Sequence, residues 1–243
     1  MVITSLENEK VKKWVKLQQK KYRDLTQSYL VEGYHLVEEA LKAGDVLELI
    51  ILEGEDYNTD CVSNVVSREV MKKISNTETV PPVMAVCQKT NGEICGNHIL
   101  LLDDVQDPGN LGTIIRSAVA FGMDCIILSR NSVDVYNPKV LRSAQGMHHY
   151  ISIVSSDIVS AIELLKRRHF TIFGTDVSFG VNVSDISADD KKRFCLVVGN
   201  EGNGVSDRVL KLCDRNLYIP MKSCVESLNV GVACSILLYE LRK

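Results

Sequence analysis

Residues 98–117 read HILLLDDVQDPGNLGTIIRS. The apolar run 98–102 predicts a short strand, Pro108-Gly109 a turn, and 111–121 a helix with apolar residues at helical spacing. A strand feeding a helix through a tight turn is the repeating unit of an α/β sheet. The unit recurs downstream: strands at 125–128, 150–154, 170–173, 194–198 and 216–219 alternate with helical segments at 138–142, 157–168, 206–213 and 228–242. Residues 174–193 are polar and carry no periodic pattern. Short, mostly apolar strands in such alternation predict a doubly wound parallel sheet, whose ligands sit at loops after the strand C-termini.

Upstream, a strand at 29–31, a helix at 34–43 stopping at Gly44 and a strand at 47–52 open a second series. A weaker strand follows, then REVMKKI with Ser67 as its N-cap, and VMAVCQ after Pro81-Pro82. The polar segment Thr90-Asn91-Gly92-Glu93 is the best boundary, which predicts a small α/β domain over 1–92 and a larger one over 93–243.

With 45% hydrophobic and 24% charged residues in 243, disorder and fibrous repeats are excluded. A net charge of −3 argues against a wholesale basic nucleic-acid binder. The local distribution differs. Residues 10–23 carry Lys10, Lys12, Lys13, Lys16, Lys20, Lys21 and Arg23 with no acid, and Val11, Trp14, Val15 and Tyr22 recur at helical spacing. This predicts one basic amphipathic helix, either a solvated face or a phosphate-contacting one. The eight cysteines form no CxxC pair or zinc spacing and read as small apolar residues. No signal-like apolar core and no membrane-length stretch is visible, so the expectation is a cytoplasmic protein with reduced thiols and no metal.

Three loops concentrate the chemistry. In the first, Asn110 falls near a helix N-cap. Arg116 sits among Ile114, Ile115, Ala118 and Val119, where a guanidinium either pairs with a carboxylate or awaits an anionic ligand. The second, GNEGNGVS (199–206), follows the strand FCLVV; it matches neither a dinucleotide nor a P-loop fingerprint, and Glu201 is equally a helix-terminus acceptor or a catalytic group. The third, IPMKSCVESLNV (219–230), leads to a helix apolar nearly all round, which belongs in the core, in a subunit interface or in both. Ser227 is its expected N-cap, Asn229 lies in its first turn, and Cys224 reads as an incidental thiol.

Together, DDVQDPGNLGTIIRSAVAFG (103–122), NPKVLRSAQG (137–146), LVVGNEGNGVS (196–206) and IPMKSCVESLNVGVACSILLYE (219–240) resemble the SpoU/TrmH family of RNA 2′-O-methyltransferases, of the SPOUT superfamily. SLENEKVKKWVKL, Arg23 and YLVEG (29–33) resemble the family's N-terminal substrate-binding extension. The resemblance implies a parallel sheet with a deep trefoil knot, an S-adenosylmethionine pocket in the knot, and a homodimer. It implies cofactor contacts at Gly199, Ile219 and Leu228. It places Arg116, Asn110, Glu201, Ser227 and Asn229 at catalytic motif positions, with Arg116 either receiving the hydroxyl proton or, since guanidinium groups normally keep their charge, polarising the hydroxyl beside a phosphate. Methyl transfer to a ribose oxygen requires no metal. The α/β extension points to large-subunit ribosomal RNA, with tRNA second, and a catalytically silent RNA binder is the rival class. Two departures stand out: Ser223 where glycine is usual, and Met147-His148-His149, whose two histidines are expected at the surface and splayed apart on an extended chain.

Overall fold

A computed structural model describes residues 2–57, 60–177 and 179–242. The chain forms two compact units, one of residues 1–90 with 134–149, the other of 91–133 with 150–243.

The first unit opens with α1 (Glu9–Lys16), capped by the Asn8 side chain, and α2 (Lys20–Thr26). The basic stretch is therefore two helices rather than one. The break follows from Arg23, whose Nη1 donates to the carbonyls of Leu17 (2.9 Å) and Gln18 (2.8 Å) and so satisfies acceptors that the end of α1 leaves open. Next come β1 (Ser28–Glu32), α3 (Tyr34–Ala43), β2 (Val46–Leu52), β3 (Ser63–Val66), α4 (Arg68–Ile74) and β4 (Val83–Gln88). Gly44 ends α3 in the left-handed region, φ 77°, where glycine carries no Cβ penalty, and Ser67 caps α4 as expected. The sheet runs β1-β4-β2-β3, antiparallel except between β2 and β3.

The second unit begins with β5 (His98–Leu102), α5 (Pro108–Ala120) and β6 (Cys125–Leu128). The chain then contributes α6 (Pro138–Ala144) to the first unit and returns for β7 (Ser152–Ser155), α7 (Ile158–Arg167) and β8 (Thr171–Thr175). In the segment without periodicity lies a two-residue strand, β9 (Val181–Asn182). β10 (Phe194–Val198), α8 (Asp207–Leu210), β11 (Arg215–Tyr218) and α9 (Val230–Leu241) complete it. All seven strands are parallel, in the order β7-β6-β5-β10-β8-β11-β9. The α/β parallel sheet read from the sequence is thus present. Successive strands grow outward from β5 to β7, then β10 pairs on the opposite side of β5. That reversal is a topological switch point, and a crevice opens beyond the carboxyl ends of β5 and β10. One face of the sheet closes over a core of Ile99, Leu101, Ile127, Ile162, Leu165, Ile172 and Val197.

The segment 134–149 corrects two expectations. Arg23, expected among the RNA-binding groups, is 3% exposed and pairs with Asp134 through Nη2 (2.6 Å) and Nε (3.1 Å). A buried guanidinium needs such a partner, because leaving it unpaired costs several kcal/mol. His148 and His149 are buried, not at the surface: His149 Nδ1 lies 2.9 Å from an Asp45 carboxylate oxygen, and His148 Nε2 lies 3.0 Å from the Tyr29 hydroxyl. Residues 147–150 form a 3₁₀ turn rather than an extended strand, so the two rings lie tilted against each other, centroids 4.0 Å apart, instead of splaying. Burial, with His149 adding to it, lowers the His148 pKa to about 3.

Candidate active site

The loop after β5 and the loop after β10 meet through one carboxylate. Glu201 accepts from the backbone N–H of Asp107 (2.9 Å) and Gln106 (3.2 Å) and from the side-chain amide of Asn110 (3.1 Å). Asn110 Oδ1 in turn accepts from Asn229 Nδ2 at 2.9 Å. Asn229 Oδ1 takes the N–H groups of Gly231 (2.9 Å) and Val232 (3.3 Å), the first orphan donors of α9. Three segments distant in sequence are thus joined in a single hydrogen-bonded chain. Burial raises the Glu201 pKa, but the donors from Asp107, Asn110 and Gln106 outweigh it, so the carboxyl stays below its usual value and ionised.

Caps differ from those expected. Asp107, not Asn110, caps α5, taking the Asn110 N–H at 2.9 Å, and Pro108 occupies the first helical position. Asn229, not Ser227, caps α9. Both shifts free a neighbour: Asn110 turns its side chain to Glu201, and Ser227 lines a cavity. Arg116 is exposed on the outer face of α5 and makes no hydrogen bond or ion pair with a described residue. Its apolar neighbours Ile114, Ile115 and Ala118 face the opposite side. The second of the two sequence alternatives, a guanidinium awaiting an anion, fits this exposure.

A cavity of about 450 Å³ lies beside Glu201. Gly199, Ile219 and Leu228 line it together with Glu201, Ser227, Val230 and Leu237. Its volume falls within the range of small-molecule sites. The Asn200–Gly204 bridge folds the loop back so tightly that a Cβ on Gly199 would overlap the backbone of Gly204 and Val205. Only glycine lets the loop fold back on itself at this point of the wall.

Two organising residues were not singled out from the sequence. Asn200 Oδ1 accepts from Gly202 and Asn203, while its Nδ2 donates to the Asp104 carbonyl at 2.8 Å. Asp103, 7% exposed, takes the Ser206 N–H (3.1 Å) and hydroxyl (2.8 Å). Polar residues directly after apolar strands were the available signal, because a strand end at a switch point exposes backbone that side chains must satisfy.

The profile of the SpoU rRNA Methylase family matches residues 97–239. The chain belongs to this family. Residues 8–85 match the MRM3-like substrate binding domain. The chain is 41% identical to the 23S rRNA (guanosine(2553)-2′-O)-methyltransferase RlmP of Bacillus subtilis, over 99% of this chain and 98% of that protein. It is 32% identical to an uncharacterized tRNA/rRNA methyltransferase of Synechocystis, over 99% of this chain and 93% of that one. Among solved structures, the SpoU methyltransferase AviRb of Streptomyces viridochromogenes, in complex with AdoMet, superposes with a TM-score of 0.87 at 25% identity, covering 97% of each chain. An AdoMet-bound rRNA methyltransferase of Sinorhizobium meliloti gives 0.87 at 28% identity, covering 100% of this chain and 97% of that one. As a SpoU-family member the protein is an S-adenosylmethionine-dependent RNA 2′-O-methyltransferase. No described helix is long and apolar enough to cross a membrane. No cluster of three metal-ligating side chains occurs among the described residues.

Proposed function

We propose that this SpoU-family enzyme methylates the ribose 2′-oxygen of a large-subunit ribosomal RNA nucleotide, the one equivalent to guanosine 2553 in the 23S rRNA substrate of the Bacillus relative. The observation that carries the site assignment is the Glu201–Asn110–Asn229 chain bordering the 450 Å³ cavity.

Gly199, Ile219 and Leu228 hold S-adenosylmethionine in this reading, through backbone groups and apolar contact, and the lining of the cavity fits that group. Bound there, the cofactor supplies an electrophilic methyl on a positively charged sulfur, a leaving group that needs no Lewis acid. The chain's own task is to bring the ribose oxygen into line, and orientation of this kind is worth roughly 7–11 kcal/mol in favourable cases. Asn110 and Asn229 are each held by a partner on another segment, so both are preorganised to orient substrate; Glu201 braces them, and Ser227 sits at the cavity wall. Arg116 binds the adjacent phosphate and polarises the hydroxyl, its proton passing to solvent or to a phosphate oxygen, because a guanidinium stays charged near neutral pH.

The insertion of β10 between β5 and β8, and of β11 between β8 and β9, supports a trefoil knot threaded at this crevice. Val232, Ile236 and Tyr239 remain 48%, 37% and 40% exposed on α9, an apolar stripe at helical spacing that supports a homodimer through this helix. Residues 1–90 with 134–149 serve as the RNA-binding unit, and 91–133 with 150–243 as the catalytic one. Within the first, Lys13, Lys16, Lys20 and Lys21 are exposed and form no ion pair with a carboxylate among the described residues, whereas Lys10 pairs with Glu48 (3.3 Å) and Lys12 with Glu7 (3.0 Å). The former four are the principal phosphate contacts, with Lys10 and Lys12 secondary. The enzyme acts in the cytoplasm, where ribosomal RNA and the cofactor are available.

The test is direct. Incubating the protein with labelled S-adenosylmethionine and total RNA from cells lacking it places one alkali-resistant 2′-O-methyl mark in 23S rRNA. A mark in tRNA instead reassigns the substrate, and cofactor binding without any mark leaves a silent binder.

A further inference from the structure

A second cavity, of about 480 Å³, opens at the carboxyl ends of β5, β6, β7 and β10. Its wall includes Asp103, Asp104, Asp157, Arg130 and Arg208. All three carboxylates are engaged. Asp103 holds Ser206; Asp104 accepts from the Ser129 hydroxyl (2.6 Å) and from Asn131 (3.2 Å); Asp157 caps α7 through the Ser160 N–H (3.0 Å) and hydroxyl (2.8 Å). The two guanidinium groups are not: neither Arg130 nor Arg208 makes a hydrogen bond or ion pair with a described residue. Both lie close enough to Asp157 to help lower its pKa, after the two hydrogen bonds from Ser160.

Asp104 also adopts φ 59°, a left-handed conformation that side chains seldom take, and four hydrogen bonds at its backbone and carboxylate hold it there. Strain held in this way clusters at binding and catalytic sites. The Asn200–Gly204 loop is the decisive feature, since Asn200, Asn203 and Gly204 line both this cavity and the one assigned to the cofactor. A polynucleotide whose ribose faces one side of that loop continues past it on the other.

We propose that the groove between Arg130 and Arg208 binds the phosphodiester backbone of the RNA adjacent to the methylated nucleotide. This rests on the methyltransferase reading above and adds a substrate contact to it. The planar guanidinium forks match phosphate oxygens, and with the local carboxylates occupied the groove offers unpaired donors.

The test uses the full-length protein and a transcript of the 23S rRNA segment around the nucleotide equivalent to guanosine 2553. The Arg130→Gln/Arg208→Gln double variant weakens transcript binding by about tenfold or more, raises the KM for RNA, and reduces the log–log salt slope by roughly 1.4, the value for two lost single-strand phosphate contacts. The dissociation constant for S-adenosylmethionine, measured by calorimetry, stays within twofold. Arg130→Lys/Arg208→Lys, which keeps both charges, retains the salt slope and serves as the folding control. An unchanged KM for RNA and an unchanged slope overturn the groove while leaving the methyltransferase intact. Calorimetry with inorganic phosphate and with GMP separates the sources of phosphate: submillimolar binding of either that the Gln variant abolishes, with transcript binding untouched, overturns the RNA assignment in favour of a soluble ligand. If the wild-type protein takes up no S-adenosylmethionine, the underlying reading fails first.

Discussion

Asn229 spends its two side-chain ends on different tasks: Oδ1 caps α9 through the Gly231 and Val232 N–H groups, and Nδ2 reaches Asn110 at 2.9 Å. One residue therefore fixes the start of α9 and joins the third motif loop to the first. Because the two ends have opposite polarity, substitutions can separate them.

Asn229→Ala removes both functions. Loss of an N-cap costs about 1 kcal/mol, and the melting temperature falls by a few degrees. Asn229→Asp keeps the acceptor at a helix N-terminus, where negative charge is favourable, and loses only the donor to Asn110. Thermal unfolding of Asn229→Asp should match wild type within about 0.5 kcal/mol, while its kcat falls about tenfold or more, which is about 1.4 kcal/mol in the barrier. Equal stability and equal kcat would make the Asn229–Asn110 contact incidental.

Glu201→Gln preserves shape but sets an amide against the donors of Asp107, Gln106 and Asn110. An N–H facing another N–H loses a hydrogen bond and leaves a donor unsatisfied. Methyl transfer should drop by about tenfold or more with calorimetric cofactor affinity changed less than methyl transfer. A larger loss of affinity than of kcat would make Glu201 a cofactor-loop brace only.

Arg23→Ala leaves Asp134 without its partner and the Leu17 and Gln18 carbonyls without their donor. Breaking a buried pair by removing one member costs about 3–5 kcal/mol. Urea unfolding of the two single variants and the Arg23→Ala/Asp134→Ala double should show the double less destabilised than the sum. Additive losses would mean that the two side chains act independently. RNA affinity at constant folded fraction should not change, whereas neutralising Lys13, Lys16, Lys20 and Lys21 together should weaken binding and flatten its salt dependence.

His148 makes stability depend on pH. Burial holds its folded pKa at about 3 against an unfolded value near 6.5, so below pH 6.5 the unfolded chain binds the extra proton. Stability is fully present above pH 6.5 and declines as pH falls towards 3. Between pH 6.5 and 5.5 the loss approaches about 1 kcal/mol. Denaturant titrations at the two pH values should show it in the wild type and not in His148→Gln, and an equal loss in both would assign it to other groups.

Local pattern reached far into this protein. The apolar run at 98–102 and the Gly44 stop each fall on the predicted element, because strand length and helix stops are properties of neighbouring residues, whereas Pro108-Gly109, read as a turn, instead form the first residues of α5. The motif loops were legible as ligand loops for the same reason: polar and glycine residues directly after apolar strands at 102 and 198 have few other uses. The helix caps were misplaced by two or three residues, at Asn110 and Ser227, because several Asx and Ser side chains compete there and only the tertiary partner of each decides.

What the sequence alone determined is an α/β chain with three ligand loops and a basic N-terminal stretch. Only the tertiary structure decided that β10 pairs with β5, bringing Glu201 to Asn110 across 91 positions, and that residues 134–149 pack with the first 90. It also decided that Arg23 is an interior cation while Arg116 is an exposed one, against the local pattern of each. The reason is physical: burial and ion pairing depend on which surfaces meet after strand order is chosen. Strand order is set by the summed fit of many distant contacts, and no short window of sequence contains it.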